Sequence, residues 1–181
     1  MNQQSVRHLK LAEPQPTRDH IRGPADAPIK MLEYGDYECP YCGQAHPVVL
    51  AVKDELGDRL CFAFRNFPLA NMHPHARQAA EAAEVAGAQG KFWEMHDVLF
   101  ENQHALEAED LVGYATALGL DARRFIGDLQ SHAHAQRVRE DFYAGVRAGV
   151  NGTPTFFING ERFDGVPDVD SLMAVLTQAV H

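Results

Sequence analysis

"MLEYGDYECPYCGQAHP", residues 31–47, sets two cysteines around Pro40-Tyr41 directly after a segment of strand character. Two intervening residues suit a redox dithiol and equally half of a metal clip, so the flanking sequence has to decide between them. Upstream, "PIKMLEYG" (28–35) alternates, with Ile29, Met31 and Glu33 on one side and Lys30, Leu32 and Tyr34 on the other, which predicts a strand. Downstream, helical propensity rises through "CGQAHPVVLAVKDELG" (42–57). Pro40 suits a first helical turn and Gly57 a stop, while Pro47 predicts a kink. Cys39 therefore stands at a helix N-terminus, where unpaired N–H groups and the helix dipole favour thiolate over thiol. Cys42, one turn further in, is close enough to resolve a mixed disulfide formed by Cys39, and its sulfur is expected to be the more buried of the two.

Further along, "LCFAFRNF" (60–67) is short, aromatic and largely apolar, as a central strand covered on both faces would be. From Pro74 to about Val150 the texture becomes Ala-rich and helical. Leu111, Tyr114, Ala115 and Leu118 fall on one helical face that Gly119 closes. "TPTFFINGERF" (153–163) then predicts two short strands around Asn159-Gly160, a strong hairpin signal. A last helix is expected to turn Leu172, Val175, Leu176 and Ala179 to one face. The order strand, helix, strand, helical insert, hairpin, helix makes an α/β fold with a mixed sheet covered by helices. Its expected organisation is a polar arm over 1–22, a sheet domain from 23–70 and 151–181, and a helical insertion over 71–150.

Composition narrows the function. The chain has 181 residues, enough for a sizeable core, and its three cysteines do not form a secreted disulfide framework. A formal charge of −9 repels phosphate backbones, which excludes nucleic acid as an expected partner. No stretch is apolar and long enough to insert in a membrane, and the N-terminal residues contain no apolar secretory core after Met1, so a cytoplasmic protein is expected. A zinc or iron–sulfur clip would need His46, His73 or His75 to complete it, and no second Cys-x-x-Cys or paired Cys/His spacing is present. Neither a metal nor an organic cofactor is expected. Cys61, between Leu60 and Phe62, reads as a small buried hydrophobe, and Phe92, Trp93 and Met95 as core of the insert. The remaining histidines read as solvated or capping, and Asp36 and Glu38 as solvated acids that oppose thiolate formation slightly.

Cys39-Pro40-Tyr41-Cys42 after a strand, Pro47 five residues beyond, and Thr153-Pro154 before a strand together resemble the thioredoxin superfamily. Within it, "GPADAPIKMLEYGDYECPYC", "FRNFPLANMHPHARQAAEAAEVAGAQGKFWEMHDVLFENQ" and "GVNGTPTFFING" are each similar to stretches of the DsbA-like thiol-disulfide oxidoreductases. The resemblance implies a thioredoxin fold with an all-helical insertion. It also implies disulfide exchange with unfolded or flexible cysteine-containing polypeptides or with glutathione, followed by turnover through a redox recycling partner. Glu33 matches that family's buried acid, and a desolvated carboxyl there could accept the proton of Cys42. Thr153-Pro154 taken alone reads as a strand-initiating trans proline, whereas the resemblance implies a cis bond facing the dithiol, with Thr153 backbone groups left to pair with an extended substrate. Tyr41 stands where the family's best-known members carry His, and Pro-Tyr is the pair of glutaredoxins, which implies a less oxidising dithiol. The alternatives are a peptide-binding, chaperone or redox-sensing module of little turnover, a glutathione-conjugate isomerase relative, whose kind usually lacks the second cysteine, and a metal-binding Cys-x-x-Cys protein.

Overall fold

A computed structural model describes residues 12–178. Its strands are β1 (His20–Arg22), β2 (Ile29–Gly35), β3 (Leu60–Asn66), β4 (Thr155–Ile158) and β5 (Glu161–Phe163). Its helices are α1 (Pro40–Leu56), α2 (Ala76–Gly87), α3 (Phe92–Glu101), α4 (Ala108–Ala117), α5 (Ala122–Gln130), α6 (Ala135–Arg147) and α7 (Val169–Gln178). The five strands form one sheet in the order β1-β3-β2-β4-β5. β2 and β3 run parallel, Ile29 opposite Leu60 through to Gly35 opposite Asn66, with α1 as the crossover. β4 lies antiparallel on the other side of β2, setting Glu33 opposite Phe156 and Tyr34 opposite Thr155. The mixed sheet expected from the element order, and the thioredoxin arrangement implied by the resemblance, are therefore present.

Strand alternation sorts the core into two. Ile29, Met31, Phe62, Phe64, Phe156 and Ile158 share one cluster with α1, α7 and much of the insert, whereas Leu32, Tyr34, Ala63, Phe67 and Phe157 form the smaller cluster of the opposite face. Glu33 has the parity of Met31 and so belongs to the first side. The β4–β5 turn takes φ 48° at Asn159 and 84° at Gly160, the left-handed pair that an Asn-Gly hairpin requires. Between β3 and β4 the chain builds five helices. α2 is buried almost all round, because Ala79, Ala80, Ala82, Ala83 and Ala86 let its neighbours approach closely. α1 runs unbroken from Pro40 to Leu56 with Pro47 inside it and sends Val49, Val52 and Leu56 into the core.

Three features differ from the sequence reading. The N-terminal segment is more than a polar arm: β1 pairs antiparallel with β3, Ala12 is buried, and Asp19 forms an ion pair with Arg65 inside the protein. Three strand residues are too few to show alternation, and the charge of Asp19 hides a side chain whose partner lies 46 residues away. On α7, Leu172 and Leu176 are buried but Val175 is 40% exposed. Val169 and Met173 pack on the core instead, so the buried stripe is rotated toward them. Ala179 lies outside the described residues. Asp36 and Glu38 are engaged by protein groups rather than solvated, for reasons that belong to the site.

Candidate active site

Cys39 is the N-cap of α1, extended at φ −70° and ψ 122°, and Pro40 occupies the first turn, where its missing N–H costs nothing. Cys39 and Cys42 are both free thiols and both buried, at 3% and 0% exposure, while Tyr41 between them is 67% exposed. The Thr153-Pro154 bond is cis, and the Thr153 carbonyl lies 3.5 Å from the Cys39 sulfur. The Cys39 thiol is pulled down to about 5, first by the hydrogen bond that Cys42 donates to it, and further by Thr153 and the N–H groups of Tyr41 and Cys42; burial opposes them. The Thr153 hydroxyl is buried and has no hydrogen-bond partner among the described residues. Cys42 is driven the opposite way, far above an ordinary thiol, by burial, by its bond to Cys39 and by the charge of Glu33.

Glu33 sits at 3% exposure with Oε1 unpartnered. Loss of water, then the negative Cys39 nearby, raise its carboxyl to about 8. The fold thus gathers Cys39, Cys42, Glu33 and Thr153 into one electrostatic unit, with Pro40 starting the helix, Pro154 turning the Thr153 backbone toward it and Tyr41 facing outward. Chemically the arrangement holds a stabilised thiolate, a protonated thiol beside it, and a carboxyl that titrates near neutral pH.

The profile of the thioredoxin family matches residues 15–178. The chain belongs to the thioredoxin family. Several solved structures share its fold. BdbD from Bacillus subtilis superposes with a TM-score of 0.82 at 23% identity, covering 93% of this chain and 96% of its own. Alpha-DsbA1 from Wolbachia pipientis gives 0.81 at 20% identity with 96% of each chain covered, and the catalytic domain of ScsC from Proteus mirabilis 0.81 at 16%, covering 98% and 97%. The DsbA-like resemblance therefore holds for the fold, insert included. In sequence the chain is 49% identical over 166 residues, 91% of its length, to a Na(+)/H(+) antiporter NhaA 1 of Salinispora arenicola, and 47% identical over 171 residues, 93% of its length, to one of Mycobacterium sp.. It spans about a quarter of the length of those curated relatives, 25% and 28%. Among the described residues no helix is long and apolar enough to cross a membrane.

Around the dithiol of this thioredoxin-family protein lie side chains to which the sequence reading gave another place or none. Asp36 is buried because its carboxylate is fully engaged: Oδ1 accepts from the Glu38 N–H, and Oδ2 from the Leu69 N–H and His73 Nδ1, each at 2.8 Å. Its own N–H points at the Cys42 sulfur, 3.5 Å away. Glu38 likewise receives the His75 N–H and pairs with its Nδ1. Both acids therefore tie the motif to the 68–75 loop rather than solvating its approach. Burial lowers His73, but its hydrogen bond to Asp36 and the charge of Asp36 outweigh that and raise it above its ordinary value, with Cys39 adding to the rise. From the insert, Gln103 Nε2 donates to the carbonyls of Tyr37 and Cys39 at 2.9 and 2.8 Å. Gly43 makes room for it; a Cβ there would collide with the Gln103 amide. Tyr37 is buried against Phe64 and Phe100, and its hydroxyl meets His96 Nδ1 at 3.0 Å.

The histidines suggested as partners of a Cys-x-x-Cys clip are dispersed. His73 and His75 hold acids, while His46 faces His96 and Asp97, the three offering ligand atoms within 4.8 Å of one another. Asp97 in that trio already carries Arg22 at 2.6 Å, and neither active-site sulfur belongs to it.

Proposed function

We propose that this chain is a thiol-disulfide oxidoreductase in which Cys39 is the nucleophile, Cys42 the resolving thiol and Glu33 the proton acceptor. The observation that carries this reading is the opposed tuning of the two sulfurs, Cys39 held low and its neighbour held high beside a carboxyl poised near 8. The Cys39 thiolate attacks one sulfur of a substrate disulfide, forming a Cys39–substrate disulfide and expelling the other sulfur as a thiolate. Cys42 passes its proton to Glu33, attacks the Cys39 sulfur and closes a Cys39–Cys42 disulfide, releasing the second substrate thiolate. The substrate gains two electrons and the protein loses two; run backwards, the same steps oxidise a dithiol substrate.

Burial of Cys39 requires a substrate that reaches into the cleft beside Thr153, which favours flexible cysteine-containing polypeptides and small disulfides such as that of glutathione. Proteins of the same fold include one named a thiol-disulfide exchange protein, alpha-DsbA2 of Wolbachia pipientis, in keeping with this chemistry. Antiport, named for the curated relatives, is not assigned to the quarter of their length that this chain spans. The test pairs insulin reduction with oxidative refolding of a reduced substrate, using wild type and Cys42→Ser. Activity in either direction, with a mixed disulfide trapped on Cys39 in the variant, supports the reading; inactivity in both, with no trapped adduct, overturns it.

A further inference from the structure

Beside the 68–75 loop lies a cavity of about 370 Å³ between that loop, the start of α2 and α6. Its walls are largely apolar: Leu69 and Phe142 are half-buried, Val138 is buried, and Met72 and Tyr143 stand 72% and 56% exposed, among the more exposed large hydrophobic side chains of the described residues. Arg77 and Arg139 also line it. Both are exposed, no carboxylate lines the cavity with them, and neither has a hydrogen bond or ion pair among the described residues. Among the described residues Arg18, Arg22, Arg65, Arg124, Arg137 and Arg162 each meet an acid, and Arg59, Arg123 and Arg147 do not, but none of those three lines an apolar cavity with a second arginine. On a chain of net charge −9, two unpaired guanidinium groups over an apolar hollow are a local inversion of sign.

The cavity is mechanically joined to the dithiol. Its wall residue Leu69 donates to Asp36, whose own N–H faces Cys42. Two hydrogen bonds through Asp36 therefore link the cavity wall to the dithiol. We propose that the cavity is a subsite for an acidic-apolar segment of a cysteine-containing polypeptide substrate. A bulky apolar side chain fills the hollow against Phe142 and Met72, and a neighbouring carboxylate is held by Arg77 and Arg139, whose planar forks suit that group. This rests on the proposed function for the chemistry but not for the binding, since occupancy of the cavity needs no sulfur.

The test therefore reads binding and chemistry separately. Fluorescence anisotropy is measured with three cysteine-free, dye-labelled peptides of equal length, carrying Asp-Leu-Phe-Asp, Lys-Leu-Phe-Lys or Asn-Ser-Gly-Asn. Wild type is compared with Arg77→Glu/Arg139→Glu, whose thermal melt reports its folding. The expected result is about five- to tenfold tighter binding of the acidic-apolar peptide than of the basic one at low salt, the size that two exposed pairs give. The preference should shrink at high salt and invert in the double variant. Equal affinities in wild type, or the same preference in a folded double variant, would overturn the subsite. Turnover of mixed disulfides of the same peptides, each given one cysteine, is run in parallel. Selective binding without turnover sinks the proposed function and leaves the subsite standing, whereas turnover without selective binding does the reverse.

Discussion

Acids are withdrawn from water on both faces of the same sheet, and their neighbours treat them differently. On the Tyr34 side, Arg65 of β3 meets Asp19 at 2.7 Å, and Asp141 meets Arg18 at 2.6 Å and the Asn66 N–H at 3.1 Å. Burial raises the Asp19 carboxyl, but the hydrogen bond and charge of Arg65 outweigh it and hold it below the usual range. Burial carries Asp141 up to about 6 against the pull of Arg137 and Arg18, and on the other side Glu33, with no such partner, rises further, to about 8. A buried acid that is paired serves the fold; one left short of a partner beside a thiolate is held for proton transfer. Glu33 and Arg65 are one residue out of step across adjacent parallel strands, which puts the guanidinium on the face that Glu33 does not share.

The largest effect that would break this contrast is at the dithiol. Cys39→Ser should lower turnover more than about a thousandfold, as loss of a nucleophile does. In wild type, Cys39 should be alkylated with half-maximal rate near pH 5, while Cys42 and Cys61, both raised by burial, stay slow. Equal rates at all three would remove the asymmetry on which the mechanism stands.

Next in size is Arg65→Met, which takes the buried partner from Asp19, leaves it the partly exposed Arg18, and should cost about 3 kcal/mol in a denaturant melt at neutral pH. Because the folded Asp19 pKa is depressed, the stabilisation that the pair adds is present above the unfolded carboxyl pKa and is lost as pH falls through the folded one, so the deficit should narrow in strong acid. The Cys39 alkylation profile should not move; a shift would mean that the two faces are coupled.

Glu33→Gln should act with the opposite sign. The unfolded carboxyl ionises first, so the folded protein carries no penalty below about pH 4.5, loses stability between there and about pH 8, and levels off above. The variant escapes this and should be more stable than wild type by about 2 kcal/mol or more at pH 8, less whatever its amide loses for want of partners, and about equal at pH 4. Stopped-flow mixing should show a longer-lived Cys39 mixed disulfide. Unchanged stability and unchanged resolution would make Glu33 a strand residue and nothing more.

The smallest effect is expected at Gln103→Leu. It removes two hydrogen bonds from the carbonyls of Tyr37 and Cys39 and should cost about 1–2 kcal/mol, with a modest change in the alkylation rate of Cys39 and none in its ordering against Cys42.

Legibility in the sequence followed the range of each interaction. The strand alternation around Glu33, the Pro40 start of α1 and the Asn159-Gly160 hairpin are local in cause, and each could be read before any folding was known. The proximity of Thr153 to Cys39 spans 114 residues and could be inferred only through a family likeness. What escaped has its cause elsewhere in the chain. Asp36 and Glu38 look like solvated acids until His73 and His75 arrive from the next loop, 37 residues on. Arg65 reads as a flaw in an apolar strand until Asp19 arrives from the arm. Gln103 had a signal that could have found it, since Gly43 directly after a Cys-x-x-Cys in a helix marks a place where something must come close.

That slot at Gly43 bears on what could be cut away. A minimal redox domain made by splicing residue 70 to residue 151 would keep the sheet, both cysteines and the Thr153 loop, yet the carbonyls of Tyr37 and Cys39 would lose the amide that now satisfies them, and Tyr37 would lose His96 and Phe100. The insert is thus a scaffold for the motif rather than a passenger upon it. Transplanting Cys-Pro-Tyr-Cys into another thioredoxin framework would carry over its spelling but leave behind the grip that holds it.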